Sequence, residues 1–281
     1  APVFTQDIHL PDMLVAVVAR PPRFGAKPGS VDAAKAKAVK GVTSVVTIPG
    51  GVAVVASSTW AAIKGRDALQ VTWDETDADK RGTAELLEQY KALAAKPGLS
   101  VRKDGDAEKA IAGAKTVIDA EFVFPFLAHA PMEPLNAILA FKDNKATIWS
   151  GSQLQTIDQS VAAAILGIKP EDVAINTQWA GGSFGRRAVY NSDYVAEVAH
   201  IVKAHATDKP IKLVWTREDD IKGGYYRPMY VHKVKVGLTE SGEIAGWHHR
   251  IVCQSIMDGT AFAANSVKNG VDATSVEGVS D

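Results

Sequence analysis

A single cysteine, Cys253, stands among 281 residues. An intrachain disulfide is therefore excluded, and so is any cysteine-rich zinc or iron–sulfur site built from this chain alone. Long apolar runs are also missing. The stretches Leu14 to Ala19 and Val52 to Ala56 fall far short of the ~20 residues that span a bilayer. No basic segment leads into an apolar core at the start, so no signal peptide is legible. The chain begins Ala1-Pro2 rather than Met, and its true start is expected to have been removed. Net charge is absent too. The balance of 31 basic against 32 acidic residues, formally −1, supplies no global field for holding a polyanion, which argues against a dedicated nucleic-acid partner.

What remains is ordinary globular composition: 46% hydrophobic, 22% charged, 23 Gly and 13 Pro, enough for one large domain or two modest ones. The first ~95 residues alternate strand and helix signals. Strands are expected at Leu14–Ala19, Val42–Ile48, Val52–Ala56 and Gln70–Trp73, with Pro49-Gly50-Gly51 turning the second into the third. Ser30 is expected to cap a helix over Val31–Lys40 that Gly41 stops, and Thr59 to cap another through Trp60, Ile63 and Leu69. An amphipathic helix over Ala84–Ala95 ends at Lys96-Pro97-Gly98. Residues 97–108 are polar and read as linker. Beyond them come a strand at Thr116–Val123, a helix at Leu154–Leu166 ended by Gly167, and an alternating strand from Val173 to Trp179. A further helix carries Val195, Val198 and Val202 on one face. Strands follow at Ile211–Trp215, Tyr230–Val236 and Glu243–Cys253. The tail, Asn265–Asp281, shows neither a periodic face nor a closing element and reads as a cut or a long loop.

The most informative local feature is the unit strand, Gly181-Gly182-Ser183-Phe184-Gly185-Arg186-Arg187, helix. Paired glycines let the backbone approach a ligand closely, and the N–H groups opening the following helix are unpaired donors that face an anion. Arg186 and Arg187 add charge-assisted bonds in this reading. The spacing is neither that of a P-loop nor the G-x-G-x-x-G dinucleotide fingerprint. A tight β–α turn with two solvated arginines explains the same residues equally well. The histidines say less. His200 and His205 are at the wrong spacing for one helical metal-binding face, and His248-His249 point to opposite faces of a strand. His129, beside Glu133 and two prolines, reads as a structural hydrogen-bonding residue. No metal-ligand set is identified.

Taken in order, His129-Ala130-Pro131-Met132-Glu133-Pro134-Leu135-Asn136, Ser152-Gln153 before a helix, Gly181–Arg187, Arg217-Glu218-Asp219-Asp220 and the Gly224–Pro228 turn resemble the molybdenum-binding subunit of the xanthine oxidase and aldehyde oxidase family. The branch they look like is the isoquinoline 1-oxidoreductase β subunit with related bacterial aldehyde dehydrogenases. Val52–Leu69 and Val71-Thr72-Trp73-Asp74 resemble the family's α/β-hammerhead domain. The resemblance implies an α+β chain: a hammerhead-like domain over 1–96, a linker over 97–114, and the incomplete first part of a mixed α/β molybdopterin-binding domain over 115–281.

The implied activity is hydroxylation of an aldehyde or N-heteroaromatic substrate with water as the oxygen source. The implied cofactor is molybdopterin cytosine dinucleotide with molybdenum, expected in the complete enzyme and absent from a fragment. Gln153 matches the glutamine that donates a hydrogen bond to an oxygen on the metal. Phe184 and Gly185 match the loop over the metal's apical ligand, and Gly181, Gly182, Ser183, Arg186 and Arg187 complete the cofactor-binding segment. Ser183 replaces the commoner third glycine. Ala188 stands where purine-oxidising members carry a substrate-binding glutamate, which points away from xanthine. The family's catalytic glutamate belongs to a C-terminal half this chain does not contain, so the fragment alone is expected to be inactive. Implied partners are that missing half, a 2Fe–2S subunit and a cytochrome c acceptor. The implied compartment is the periplasm, with the cytoplasm as the alternative. Two other readings stay open: a non-catalytic phosphate or nucleotide-binding module, in which Arg186, Arg187 and the loop N–H groups converge, and a subunit-assembly module marked by a large exposed apolar surface.

Overall fold

The computed structural model describes residues 3–276. In chain order its principal elements are β1 (Leu14–Ala19), β2 (Lys27–Asp32), α1 (Ala34–Lys37), β3 (Val42–Ile48), β4 (Gly51–Ala56), α2 (Thr59–Asp67), β5 (Gln70–Asp74), α3 (Thr83–Ala94), α4 (Ala107–Ala112), β6 (Thr116–Phe124), β7 (Asn136–Lys142), β8 (Lys145–Ser150), α5 (Gln155–Leu166), β9 (Val173–Thr177), α6 (Asp193–His205), β10 (Ile211–Val214), α7 (Arg217–Lys222), β11 (Tyr230–Leu238) and β12 (Ile244–Cys253). They form two compact units, one from residues 1–80 with 128–225, the other from 81–127 with 226–281. The expected division at 96 and 115 follows the chain; these units follow contacts, and each draws on two segments. Among the described residues no helix is long and apolar enough to cross a membrane.

In the first unit, seven strands of the described residues form a mixed sheet in the order β3-β4-β1-β10-β7-β8-β9. Two antiparallel hairpins, β3–β4 and β7–β8, flank a parallel junction where β1 meets β10 with Leu14 opposite Ile211. Strand alternation sends Leu14, Ala16 and Val18 into one core with Val195, Val198 and Val202 of α6 and Ala162, Ala163 and Leu166 of α5. Val17 points the other way, to Ala61 and Ala62 of α2. Gly167 ends α5 in the left-handed region, φ 78°.

Several local expectations are corrected. Ser30 and Val31 do not begin a helix. They belong to β2, where Val31 pairs with Val71 and the Ser30 N–H donates to the Thr72 hydroxyl at 2.8 Å. Cross-strand pairing overrides the helix propensity of the alanine–lysine run, which is left with the single turn of α1. Ser58, not Thr59, caps α2, its side chain accepting from the Ala61 N–H. Within the expected linker, α4 forms at Ala107–Ala112, capped by Asp106. The β7–β8 hairpin turns through Asp143 and Asn144, both at positive φ. The tail is not featureless either. Ala263–Ser266 makes a helical turn, and Val267–Lys268 pairs with Val271–Asp272; residues 277–281 of the expected loop lie outside the described residues.

In the second unit, β12-β11-β6 form an antiparallel sheet of long strands. One face receives α3, with Tyr90 and Ala94 against Met229 and Val231, and α4, whose Ile111 sits where Cβ atoms on Gly237 and Gly246 would collide with it or its turn.

Candidate functional site

The segments singled out by the resemblance come together in the first unit, and an acidic residue binds them. Glu133 is 8% exposed. Its carboxylate accepts from the Gly181 N–H at 2.9 Å, the Gln6 N–H at 3.2 Å, the Asn136 amide at 3.0 Å and Arg187 Nη2 at 3.1 Å. The Glu133 N–H in turn donates to the Gly181 carbonyl at 2.9 Å. A Cβ on Gly181 would lie 2.4 Å from Glu133 Cβ, so glycine is what this approach requires. Arg217, from the first turn of α7, donates to the Pro131 and Met132 carbonyls at 2.6 and 3.0 Å. It thereby fixes the segment that carries Glu133.

Gln153, just before α5, meets the glycine-rich loop directly. Its N–H donates to the Arg187 carbonyl at 3.3 Å. Its side-chain oxygen accepts from the Ser183 hydroxyl, which itself accepts from the Arg187 N–H at 3.0 Å. That bond orients the amide: with the oxygen engaged, the exposed Gln153 NH₂ has no acceptor among the described residues. Beneath it, the Ser152 hydroxyl donates to the buried Asp158 carboxylate. Burial raises the Asp158 carboxyl above the usual range, against the lowering effect of that hydrogen bond.

The loop is shaped by positive φ values of 95° at Gly182, 56° at Phe184 and 93° at Gly185. Such a value is unfavourable for a phenylalanine, yet the Phe184 side chain is 74% exposed. The backbone N–H groups of Gly182, Ser183, Phe184 and Gly185 have no acceptor among the described residues. Successive free N–H groups in such a turn make an anion-binding concavity. They are not the opening of a helix, which corrects the expected strand–loop–helix unit. Helix α6 begins only at Asp193, after Ser192 in the left-handed region.

Both arginine side chains turn into the protein. Arg186 is 3% exposed and forms a two-pronged pair with Asp193, at 3.1 and 2.6 Å, and it lies over the rings of Trp215 and Tyr225. Arg187, whose side chain is fully buried, holds Glu133 and the Gly182 carbonyl. The phosphate-module alternative needs both guanidinium groups to converge on an anion, and both are committed inward. Sequence reasoning missed Glu133 and Asp193 as the groups that fix the loop, and Asp158 as the group that holds Ser152 beside Gln153. The one local signal was a pair of adjacent arginines whose burial would demand carboxylate partners.

Of the histidines only His232 and His249 meet, and no group of three or more metal-ligating side chains occurs among the described residues. His205 bonds to the Ser44 hydroxyl at 2.7 Å. His249 and His248 take opposite faces of β12, as expected.

Comparison with known proteins bears on all of this. A model of the molybdopterin cofactor-binding domain matches residues 92–268. The β subunit of isoquinoline 1-oxidoreductase from Brevundimonas diminuta is 30% identical over 90% of this chain and 33% of its own length. A membrane-bound aldehyde dehydrogenase from Gluconacetobacter polyoxogenes, named for pyrroloquinoline quinone, is 31% identical over 91% of this chain and 35% of its own. Among solved structures, quinoline 2-oxidoreductase from Pseudomonas putida 86 superposes with a TM-score of 0.69 at 18% identity, covering 88% of this chain and 36% of that one, a likeness of fold. The chain thus spans about a third of the length of these curated relatives.

Proposed function

Because the chain belongs to the molybdopterin cofactor-binding domain family, we propose that it is one part of the large subunit of a molybdenum hydroxylase acting on an aldehyde or an N-heteroaromatic compound. The observation that carries this is the oriented Gln153 amide beside four acceptor-free loop N–H groups. A donor set of that kind fits an anionic, oxygen-rich group such as a molybdenum–pterin better than it fits a packed turn. When bound, that group supplies the two-electron oxidation and the transfer of oxygen taken from water.

This chain's own residues hold and screen. Gln153 presents its NH₂ as a hydrogen-bond donor toward the cofactor. Gly182, Ser183, Phe184 and Gly185 present backbone N–H groups from the loop that Gln153 contacts through Ser183. The Phe184 ring, standing out from the loop, excludes water once a ligand and the rest of the subunit close over it. Arg186 and Arg187 keep the loop in shape through Asp193 and Glu133 rather than touching the ligand. Ala188, exposed beside the loop, offers no carboxylate to a purine, in keeping with an aldehyde or heterocycle. The proton-accepting glutamate and the anchors for the cytosine dinucleotide belong to the part of the subunit this chain does not span. Electrons leave through a separate 2Fe–2S subunit, with a cytochrome c as the onward acceptor in a periplasmic enzyme.

Elemental analysis tests the reading. Molybdenum should be absent from this chain alone and present at about one atom per subunit when the remainder of the subunit and the iron–sulfur subunit are co-expressed. An assembled complex without molybdenum, and above all one holding pyrroloquinoline quinone instead, would overturn it.

A further inference from the structure

The second unit's sheet is built the wrong way round for a surface. In an antiparallel sheet with one face solvated, that face is normally the polar one. Here the helix-covered face carries Asp119, Glu121, Lys233, Lys235 and Arg250, with Lys235 3.4 Å from Asp119 and Lys91 2.6 Å from Glu121. The opposite face has no Lys, Arg, Asp or Glu. Register places Ile118, Phe122 and Phe124 of β6 there, beside Val234 and Val236 of β11 and Ile251 and Trp247 of β12. Phe122, Phe124 and Trp247 are each more than half exposed, and Ile118 and Ile251 nearly so.

At 150–250 Å² for a whole aromatic side chain, these five residues leave on the order of 500 Å² of apolar surface open. That lies at the upper end for any single patch on a monomer and approaches the ~800 Å² that one partner gives a stable interface. The only titratable side chains among the ladder positions of this face are His232, His249, Tyr230 and Cys253. The two imidazoles bond to each other at 2.8 Å, and His232 stacks on Tyr230. Burial, and for each a neighbouring histidine, lower both imidazole pKa values, which favours the neutral rings that a covered face requires. Both outer edges of the sheet, on β6 and β12, are unpaired among the described residues, so their backbone donors and acceptors are also open to a further chain.

We infer that this face is a permanent interface, covered by the polypeptide that makes up the other two-thirds of the relatives' subunit. Depletion of charge with enrichment of aromatics is the composition of an obligate contact rather than a transient one. The relatives possess some two further lengths of chain to supply it. The inference rests on reading this chain as part of a longer subunit, and it specifies where the rest attaches.

Side-chain footprinting with a photoactivated carbene tests it, on this chain alone and with the polypeptide encoded downstream in its gene. Phe122, Phe124 and Trp247 should label readily in the chain alone and lose labelling about fivefold in the assembly. Trp60 and Leu93, exposed elsewhere, should be unchanged. Undiminished labelling in the assembly overturns the inference, as does a gene that encodes nothing further. Protection that grows with the concentration of the chain alone would also overturn it, by assigning the face to a second copy. Molybdenum measured on the same samples separates the two claims. A protected face without metal leaves this inference standing and removes the cofactor reading; metal with an unprotected face does the reverse.

Discussion

Replacing Glu133 by glutamine keeps shape and size while removing the charge that faces a fully buried guanidinium. Oε2 accepts from Gly181 and Arg187, and Oε1 from Gln6 and Asn136. Whichever way the new amide sits, its NH₂ points at two donors. Arg187 then has no carboxylate, and its Nη1 already lacks a hydrogen-bond partner. Breaking a buried pair from one side costs about 3–5 kcal/mol, because a charge is left without compensation. Taking about 4 kcal/mol and an m-value of about 2.5 kcal/mol/M, the urea midpoint should fall by about 1.6 M. The assay is urea unfolding followed by tryptophan fluorescence and far-UV circular dichroism, with the exposed Glu171→Gln as a control that should stay within about 0.5 kcal/mol. A cycle with Arg187→Met isolates the pair. The double variant should be less destabilised than the sum of the singles by about 2 kcal/mol. Additivity within about 0.5 kcal/mol, or a Glu133→Gln loss below about 1 kcal/mol, would refute the view that this pair clamps the loop.

Further outcomes follow from the same geometry. Gly224 has φ 77°, and a Cβ there would lie 2.1 Å from Arg186 Nη2. Gly224→Ala should therefore cost about 3 kcal/mol through backbone strain and displacement of Arg186 from Asp193, read as a lowered Tm; an unchanged Tm contradicts it. Burial lowers the pKa values of His200, His205, His232 and His249. The unfolded chain therefore binds more protons below ~6.5. The stability from keeping these rings neutral is fully present above that pH and is lost as pH falls through the folded values. Burial raises the Asp158, Glu197 and Asp220 carboxyls, which gives the opposite slope from ~4 upward. Removing the pair isolates its share: relative to the unaltered chain, the double variant His232→Gln/His249→Gln should gain less Tm, or lose more, as pH rises towards 6.5; an identical slope would show that the pair does not titrate.

Elements marked by local pattern were legible in the sequence. The β-branched hairpin β3–β4, the four-residue apolar spacing of α5 with Gly167 behind it, and the alternation of β9 each carry their own period. Hidden elements owe their existence to partners far along the chain. Strand β2 contains Pro28 and Gly29 and forms because β5 offers it an edge. The β7–β8 hairpin turns at Asp143-Asn144 without the glycine that usually announces such a turn. The site divides in the same way. Gln153 and the 181–187 loop were identifiable as motifs, and the structure sets them in hydrogen-bond contact. That Arg187 turns inward to Glu133, 54 residues away, depends on the register of strands between them, which no local spacing records.

The seam between β1 and β10 also sets a schedule. Only three residue pairs join the strands 14–56 to the strands 136–214, and β10 is the last of the seven to be synthesised. On a ribosome adding ~5–20 residues per second, the finished β3-β4-β1 portion of the sheet waits roughly 8–30 s with one edge of β1 open before its neighbour exists. During that wait the whole of β6 emerges, bearing Phe122 and Phe124 and still lacking β11. The interleaving that makes two compact units in the finished protein therefore exposes two apolar strand edges at once in the nascent one. A chaperone that binds extended apolar segments would find its sites there, and synonymous changes that slow translation between residues 125 and 210 should lower the soluble yield without altering the folded protein.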